Sequence, residues 1–246
     1  QHAEDAELSK DGMINDGIIA TKLGLQGIPV SAELLILERD LTLLEYNNCR
    51  YHISQISSAS SIEIIRERKS KVNFSCGVSI NNLSLNENDI GDFKTFLKLS
   101  PPLRTEDDRN ALVQGLVDET IDVIVSDHKP EDEENKRLTF AQAETGASGI
   151  ETLLPLSLEL YHNGSVKLET IIKALTSGPA KILKINKGNL SIGNDADFCI
   201  VDINKPWVVR KEKLISKSKN TPIEDKKLQG KVMNTFVNGE ELFKAE

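Results

Sequence analysis

Two imidazoles and one carboxylate in this sequence are side chains of the types that together bind a divalent cation. His2 lies at the start of the chain, His52 lies within residues 50–54, and Asp127 follows the apolar run at residues 121–125. Such a set suits a borderline ion such as zinc. The spacing is long and irregular, so two alternatives stay open: His52 as a hydrogen-bonded structural residue, and Asp127 as the cap of a helix or turn.

The segments that would position these side chains alternate between helical and strand patterns from residue 13 to about residue 185. Short connections between them predict βα units and a parallel sheet. Side chains just past the carboxyl ends of barrel strands meet at one edge, so we expect His2, His52 and Asp127 to converge there. We predict strands at residues 50–54, 71–78 and 121–125, and helices at 32–47, 58–69, 105–118 (with a Thr105/Asp108 capping box), 149–162 and 168–183.

The pattern changes after about residue 186, where glycines separate short β-rich pieces at residues 197–202, 207–209 and 231–237. The dipeptide Asn238-Gly239 between two apolar-rich segments predicts a hairpin with a two-residue turn. We therefore divide the chain into residues 1–187, an α/β barrel part, and residues 188–246, a small β-rich domain.

Composition excludes several classes of protein. The 30 lysines and arginines against 38 acidic residues give a net charge of −8, which argues against nucleic-acid binding. Apolar runs are far too short for a membrane span. The three cysteines are far apart, with no C-x-x-C motif, which fits a reduced cytoplasmic protein. The sequence contains no G-x-S-x-G motif and no glycine-rich phosphate loop.

Five stretches carry a family resemblance: residues 101–109, 121–130, 149–152, 196–202 and 216–222. In content and in order they resemble dihydroorotases of the cyclic amidohydrolase superfamily, over essentially the whole chain. The last stretch, Ser-Lys-Ser-Lys-Asn-Thr-Pro, favours dihydroorotases over hydantoinase or allantoinase relatives.

The resemblance implies an α/β fold: the C-terminal part of a metal-dependent (β/α)8 amidohydrolase barrel plus a small β-rich composite domain. It implies the reversible conversion of N-carbamoyl-L-aspartate to L-dihydroorotate in cytoplasmic pyrimidine biosynthesis, with one or two zinc ions at a complete site. The implied site residues are His2, His52 and Asp127 as metal ligands, Asp127 also as general acid/base, and Ser100, Glu131, Thr145 and Gly146 as substrate contacts.

The sequence departs from the family pattern at three places. Paired histidines of the family are replaced by Asn81-Asn82, an asparagine by Ser100, and a substrate-binding histidine by Glu131. A carboxylate facing a dianionic substrate would weaken binding by a few kcal/mol in a desolvated site. These features resemble a divergent branch with poorly active members that accompany aspartate transcarbamoylase.

The resemblance also implies ligands that this sequence lacks, namely a His-x-His motif after the first strand and a bridging residue after the fourth. We expect the chain to begin at the end of the fifth strand and to be the C-terminal portion of a longer protein, either renumbered after a gap or cleaved and still associated. With those ligands absent, we expect an empty or singly occupied metal site.

Three functions remain open from the sequence. The first is a zinc-dependent dihydroorotase, the second a weakly active or inactive subunit that scaffolds aspartate transcarbamoylase, and the third a cyclic amidohydrolase for a neutral ring. An active dihydroorotase needs Lys129, Arg137 or a proton to offset the charge of Glu131, whereas in a scaffold Glu131 would face solvent. We expect a homo-oligomer without nucleic-acid or membrane partners.

Overall fold

The computed structural model describes residues 1–47 and 49–245. Its strands are β1 (Ile14–Asn15), β2 (Gly27–Ile28), β3 (His52–Ile56), β4 (Ser75–Ser79), β5 (Val123–Val125), β6 (Phe198–Val208), β7 (Lys227–Val237) and β8 (Glu240–Lys244). Its helices are α1 (Ile18–Leu23), α2 (Val30–Tyr46), α3 (Ala59–Lys69), α4 (Ile80–Ser84), α5 (Glu106–Val117), α6 (Glu133–Arg137), α7 (Leu153–His162), α8 (Leu168–Leu175) and α9 (Ser177–Leu183). Short 3₁₀ turns occur at Glu87–Ile90, Thr95–Leu97, Ile150–Thr152 and Lys211–Lys213.

A parallel sheet with the strand order β3-β4-β5 positions the candidate site. His52 is paired with Ser75, and Ser79 at the end of β4 is paired with Val125 at the end of β5. Gly77 permits the close approach of β3 and β4, because a Cβ there would lie 2.5 Å from the carbonyl oxygen of Ser54. The carboxyl ends of β4 and β5 therefore lie side by side.

The helices on either side of β3 contribute apolar side chains to the main core. Leu37 and Leu41 of α2 and Ile65 of α3 are fully buried in the main core. Helix α5 begins at a capping box in which Thr105 Oγ1 accepts from the backbone N–H of Asp108, as the sequence predicts. The predicted helix over residues 168–183 is two helices, α8 and α9, interrupted at Thr176.

The last part of the chain forms an antiparallel sheet in the order β6-β7-β8. Strand β6 runs without interruption through two of the predicted pieces, although its pairing with β7 is irregular. Asn238 and Gly239 connect β7 and β8 with φ angles of 51° and 81°, the positive values that a type I′ turn requires. Within the part of the chain that the structure describes, no helix is long and apolar enough to cross a membrane.

Candidate active site at the carboxyl edge of the parallel sheet

Asp127 lies two residues beyond β5, at the carboxyl edge of the sheet, with a φ angle of 48°. Gln55 Nε2 donates a hydrogen bond to its Oδ1 at 2.8 Å, and Ser79 Oγ lies 3.4 Å from its Oδ2. Gln55 is near the end of β3 and Ser79 is the last residue of β4. The two neighbouring strands thus hold both oxygens of the carboxylate.

His2 reaches the same edge because Gln1 runs alongside β3. Ser54 N–H donates to the carbonyl of Gln1 at 2.9 Å, and the backbone nitrogen of Gln1 lies 3.0 Å from the carbonyl oxygen of His52. The pKa of His2 is raised, first by its hydrogen bond to Glu4 and to a smaller extent by carboxylates that include Asp127. The charge of Asp127 therefore acts on His2, although Glu4 is the larger influence.

Ser100, a predicted substrate contact, lies next to His2. Its Oγ lies 3.2 Å from His2 Nε2, while Glu4 Oε2 lies 3.7 Å from the same nitrogen. The structure thus places the imidazole between a hydroxyl and a carboxylate.

The structure does not bring His52 to His2 and Asp127. His52 is the first residue of β3 and lies at the amino edge of the sheet, whereas it was expected at the carboxyl edge. Its Nδ1 lies 2.8 Å from Ser75 Oγ at the start of β4, and burial is the main cause of its lowered pKa. His52 lines a cleft of about 820 Å³ at the amino edge. The correction follows from strand register, because β3 continues to the fully buried Ile56.

The residues at the carboxyl edge do not fit a zinc site with three ligands from this chain. His2 and Asp127 are the remaining members of the predicted set, and Gln55 presents an amide where a third ligand was expected. Among residues 1–47 and 49–245, no group of three or more His, Cys, Asp or Glu side chains could hold a metal ion. Gln55 was not among the residues predicted from the sequence, where its only signal was its position three residues after His52.

The turn at Thr145-Gly146, predicted to contact substrate, is fixed from two sides. Gly146 N–H donates to the carbonyl of Lys98 at 2.9 Å, and Asn220 Nδ2 donates to the carbonyl of Gly146 at 3.0 Å. Asn220 Oδ1 also lies 3.4 Å from the backbone nitrogen of Glu131. Asn220 thus joins two predicted substrate-contact segments, and it was missed as a site residue although it lies in one of the family-like stretches.

Glu131 has cationic neighbours. Its Oε1 lies 3.8 Å from Lys129 Nζ, and its side chain is only 17% exposed. Lys136 is buried, donates to the carbonyl of Glu144 at 2.6 Å, and has a pKa lowered to about 8 by burial, which Glu131 partly opposes. Arg137 pairs with Glu133 instead. Lys129, which was predicted from the sequence to offset the charge of Glu131, is close to that carboxylate. Lys136, which was not predicted, is a second cation whose pKa the charge of Glu131 raises.

A buried polar network supports the end of β3. The carboxylate of Glu33 accepts from the backbone N–H of Ser57 at 3.1 Å and from serine hydroxyls of the same segment, including that of Ser58. Arg104 Nε donates to Ser57 Oγ at 3.1 Å, and burial lowers the pKa of this guanidinium. Because both charged groups are hydrogen-bonded in the core, they fix the backbone immediately after Gln55.

The amidohydrolase family model matches residues 2–242 of this chain. Among curated proteins, the chain is similar to a dihydroorotase of Ehrlichia chaffeensis, with 43% identity over all of this chain and 56% of the relative. A dihydroorotase of Ehrlichia canis is 42% identical over all of this chain and 55% of the relative. The chain thus spans about half the length of the curated relatives it matches.

Solved structures with the same fold include an L-hydantoinase (dihydropyrimidinase) from Arthrobacter aurescens, with a TM-score of 0.88 and 26% identity over 99% of this chain and 56% of that chain. A dihydropyrimidinase from Brevibacillus agri has a TM-score of 0.87 and 21% identity over the same shares. These likenesses confirm the predicted fold class, part of an α/β barrel.

Proposed function

This chain belongs to the amidohydrolase family, and we propose that it forms the part of a dihydroorotase that carries the general acid/base Asp127. The proposed reaction is the reversible hydrolysis of L-dihydroorotate to N-carbamoyl-L-aspartate in pyrimidine biosynthesis. The observation that carries the proposal is the 43% identity to a dihydroorotase along the entire chain. The position of Asp127 beyond β5 supports its role, because barrel enzymes react at this edge.

In the hydrolytic direction, a water oxygen bonds to the ring amide carbon and the ring C–N bond breaks. Asp127 accepts the proton of the attacking water and delivers it to the departing nitrogen. Hydrogen bonds from Gln55 and Ser79 hold the carboxylate in one orientation for both transfers. The side chains of the described residues at this edge do not make up a three-ligand metal site.

The surroundings of Glu131 support an active enzyme over the scaffold interpretation. A scaffold would leave Glu131 in solvent, whereas this side chain is largely buried and lies 3.8 Å from Lys129 Nζ. Buried Lys136 adds a second positive charge near the same carboxylate. These cations offset the repulsion that an anionic substrate would meet.

The test is dihydroorotate hydrolysis by the whole protein and its Asp127→Asn variant. We expect the substitution to lower turnover by about 100-fold or more, as for loss of a general acid/base. Asp132→Asn is the matched control, because Asp132 is exposed and its side chain caps no helix by hydrogen bonding. Absence of turnover in the wild-type protein, or full turnover in Asp127→Asn, would contradict the proposal.

A cytoplasmic location is part of the proposal. It is supported by the free thiols of Cys49, Cys76 and Cys199, since a reducing compartment keeps thiols unpaired. The family resemblance further implies a homo-oligomer and an aspartate transcarbamoylase partner. Size-exclusion chromatography of the whole protein with and without that enzyme would test both.

A further inference from the structure

The strand that was expected to supply a histidine ligand presents an amide at the carboxyl edge. His52 lies at the opposite end of β3, and the side chain of this strand that reaches Asp127 is Gln55. The contact is direct, with 2.8 Å between Gln55 Nε2 and Asp127 Oδ1.

An amide and an imidazole have different effects on a neighbouring carboxylate. A glutamine N–H donates a hydrogen bond and cannot bind a cation, whereas a neutral imidazole nitrogen is a common zinc ligand. A donor at 2.8 Å occupies a lone pair of Asp127 Oδ1 that would otherwise be open to a metal ion. Ser79 Oγ approaches the second oxygen, so donors from this chain engage both oxygens of Asp127.

We propose that Gln55 stands in the place of a metal ligand and acts as a positioning residue that orients Asp127 through a direct hydrogen bond. This edge then offers two zinc ligands from this chain, His2 and Asp127, instead of three. The effect of Gln55 on turnover rests on the proposed function, whereas its effect on metal binding does not.

The first test measures zinc bound per chain by the whole protein after equilibrium dialysis. Gln55→His adds an imidazole beside Asp127, so we expect it to retain about one zinc ion more than the wild-type protein. Gln55→Ala should retain the same zinc as wild type. His52→Asn is the matched control on the same strand and should also leave zinc content unchanged. No gain in Gln55→His, or a loss in Gln55→Ala, would overturn the proposal.

The second test separates orientation from general stability. In Gln55→Ala, Asp127 loses its shortest hydrogen bond, so we expect kcat for dihydroorotate to fall by about tenfold or more with KM changed less than about twofold. An unchanged kcat would overturn the positioning role. If the wild-type protein shows no turnover, the proposed function fails, and the zinc comparison alone decides whether Gln55 replaces a ligand.

Discussion

Replacing Lys136 with methionine should remove a pH dependence of stability that this buried lysine creates. Lys136 is 2% exposed, and its ammonium donates one hydrogen bond, to the carbonyl of Glu144 at 2.6 Å. Burial is the main reason that its pKa falls from an ordinary 10.5 to about 8, while the carboxylate of Glu131 raises it. Methionine has a similar length and carries no charge.

The magnitude follows from the difference between the two pKa values. The folded pKa is about 8 and the unfolded value 10.5, so the unfolded chain binds more protons between these pH values and the stability of the wild-type protein rises with pH across this window. At about 1.4 kcal/mol per pH unit, the cost of the buried charge at pH 7 is at most about 3 kcal/mol. Lys136→Met also loses the hydrogen bond to Glu144, which changes the free energy of unfolding by a similar amount at every pH. The pH dependence of each protein's stability is therefore compared, and not its absolute stability.

The assay is urea unfolding of the wild-type protein and Lys136→Met at several pH values from 7 to 10.5. We expect the wild-type free energy of unfolding to gain up to about 3 kcal/mol relative to the variant as the pH rises. Lys167→Met, at an exposed lysine, controls for the removal of an ammonium group. A constant difference between wild type and Lys136→Met over this range would refute the reasoning.

Three further substitutions test the surroundings of the site. Gly146→Ala should raise KM for dihydroorotate, because Gly146 has a φ angle of 144° and a Cβ would lie 2.7 Å from the carbonyl oxygen of Lys129; an unchanged KM in steady-state kinetics would contradict this. Thr105→Ala removes the hydroxyl that accepts from Asp108 N–H and should lower the free energy of unfolding by about 1 kcal/mol, as measured by urea unfolding. Glu131→Gln removes a carboxylate from the predicted substrate contacts and should lower KM for dihydroorotate, whereas a higher KM would show that the negative charge assists binding.

Features set by near neighbours in the chain were predictable from the sequence. The capping box of Thr105 and Asp108 and the turn at Asn238-Gly239 appear where they were predicted, because each depends on the backbone preferences of a few adjacent residues. The family-like stretches indicated the fold class and the family over the whole chain. One of these stretches contains Asp127, which comes two residues after the buried strand β5 and therefore lies at the carboxyl end of that strand.

The identity of the side chain beside Asp127 was decided by the tertiary structure. The segment around His52 has apolar residues at positions 53 and 56. This pattern is compatible both with a strand that ends near His52 and with a strand that begins at His52. A shift of two residues moves His52 from the carboxyl edge to the amino edge and brings Gln55 to Asp127. The register depends on pairing with β4 and on burial of Ile56, contacts between residues distant in the chain. Local sequence fixes turns and caps, whereas packing alone determines which residue of β3 reaches the site.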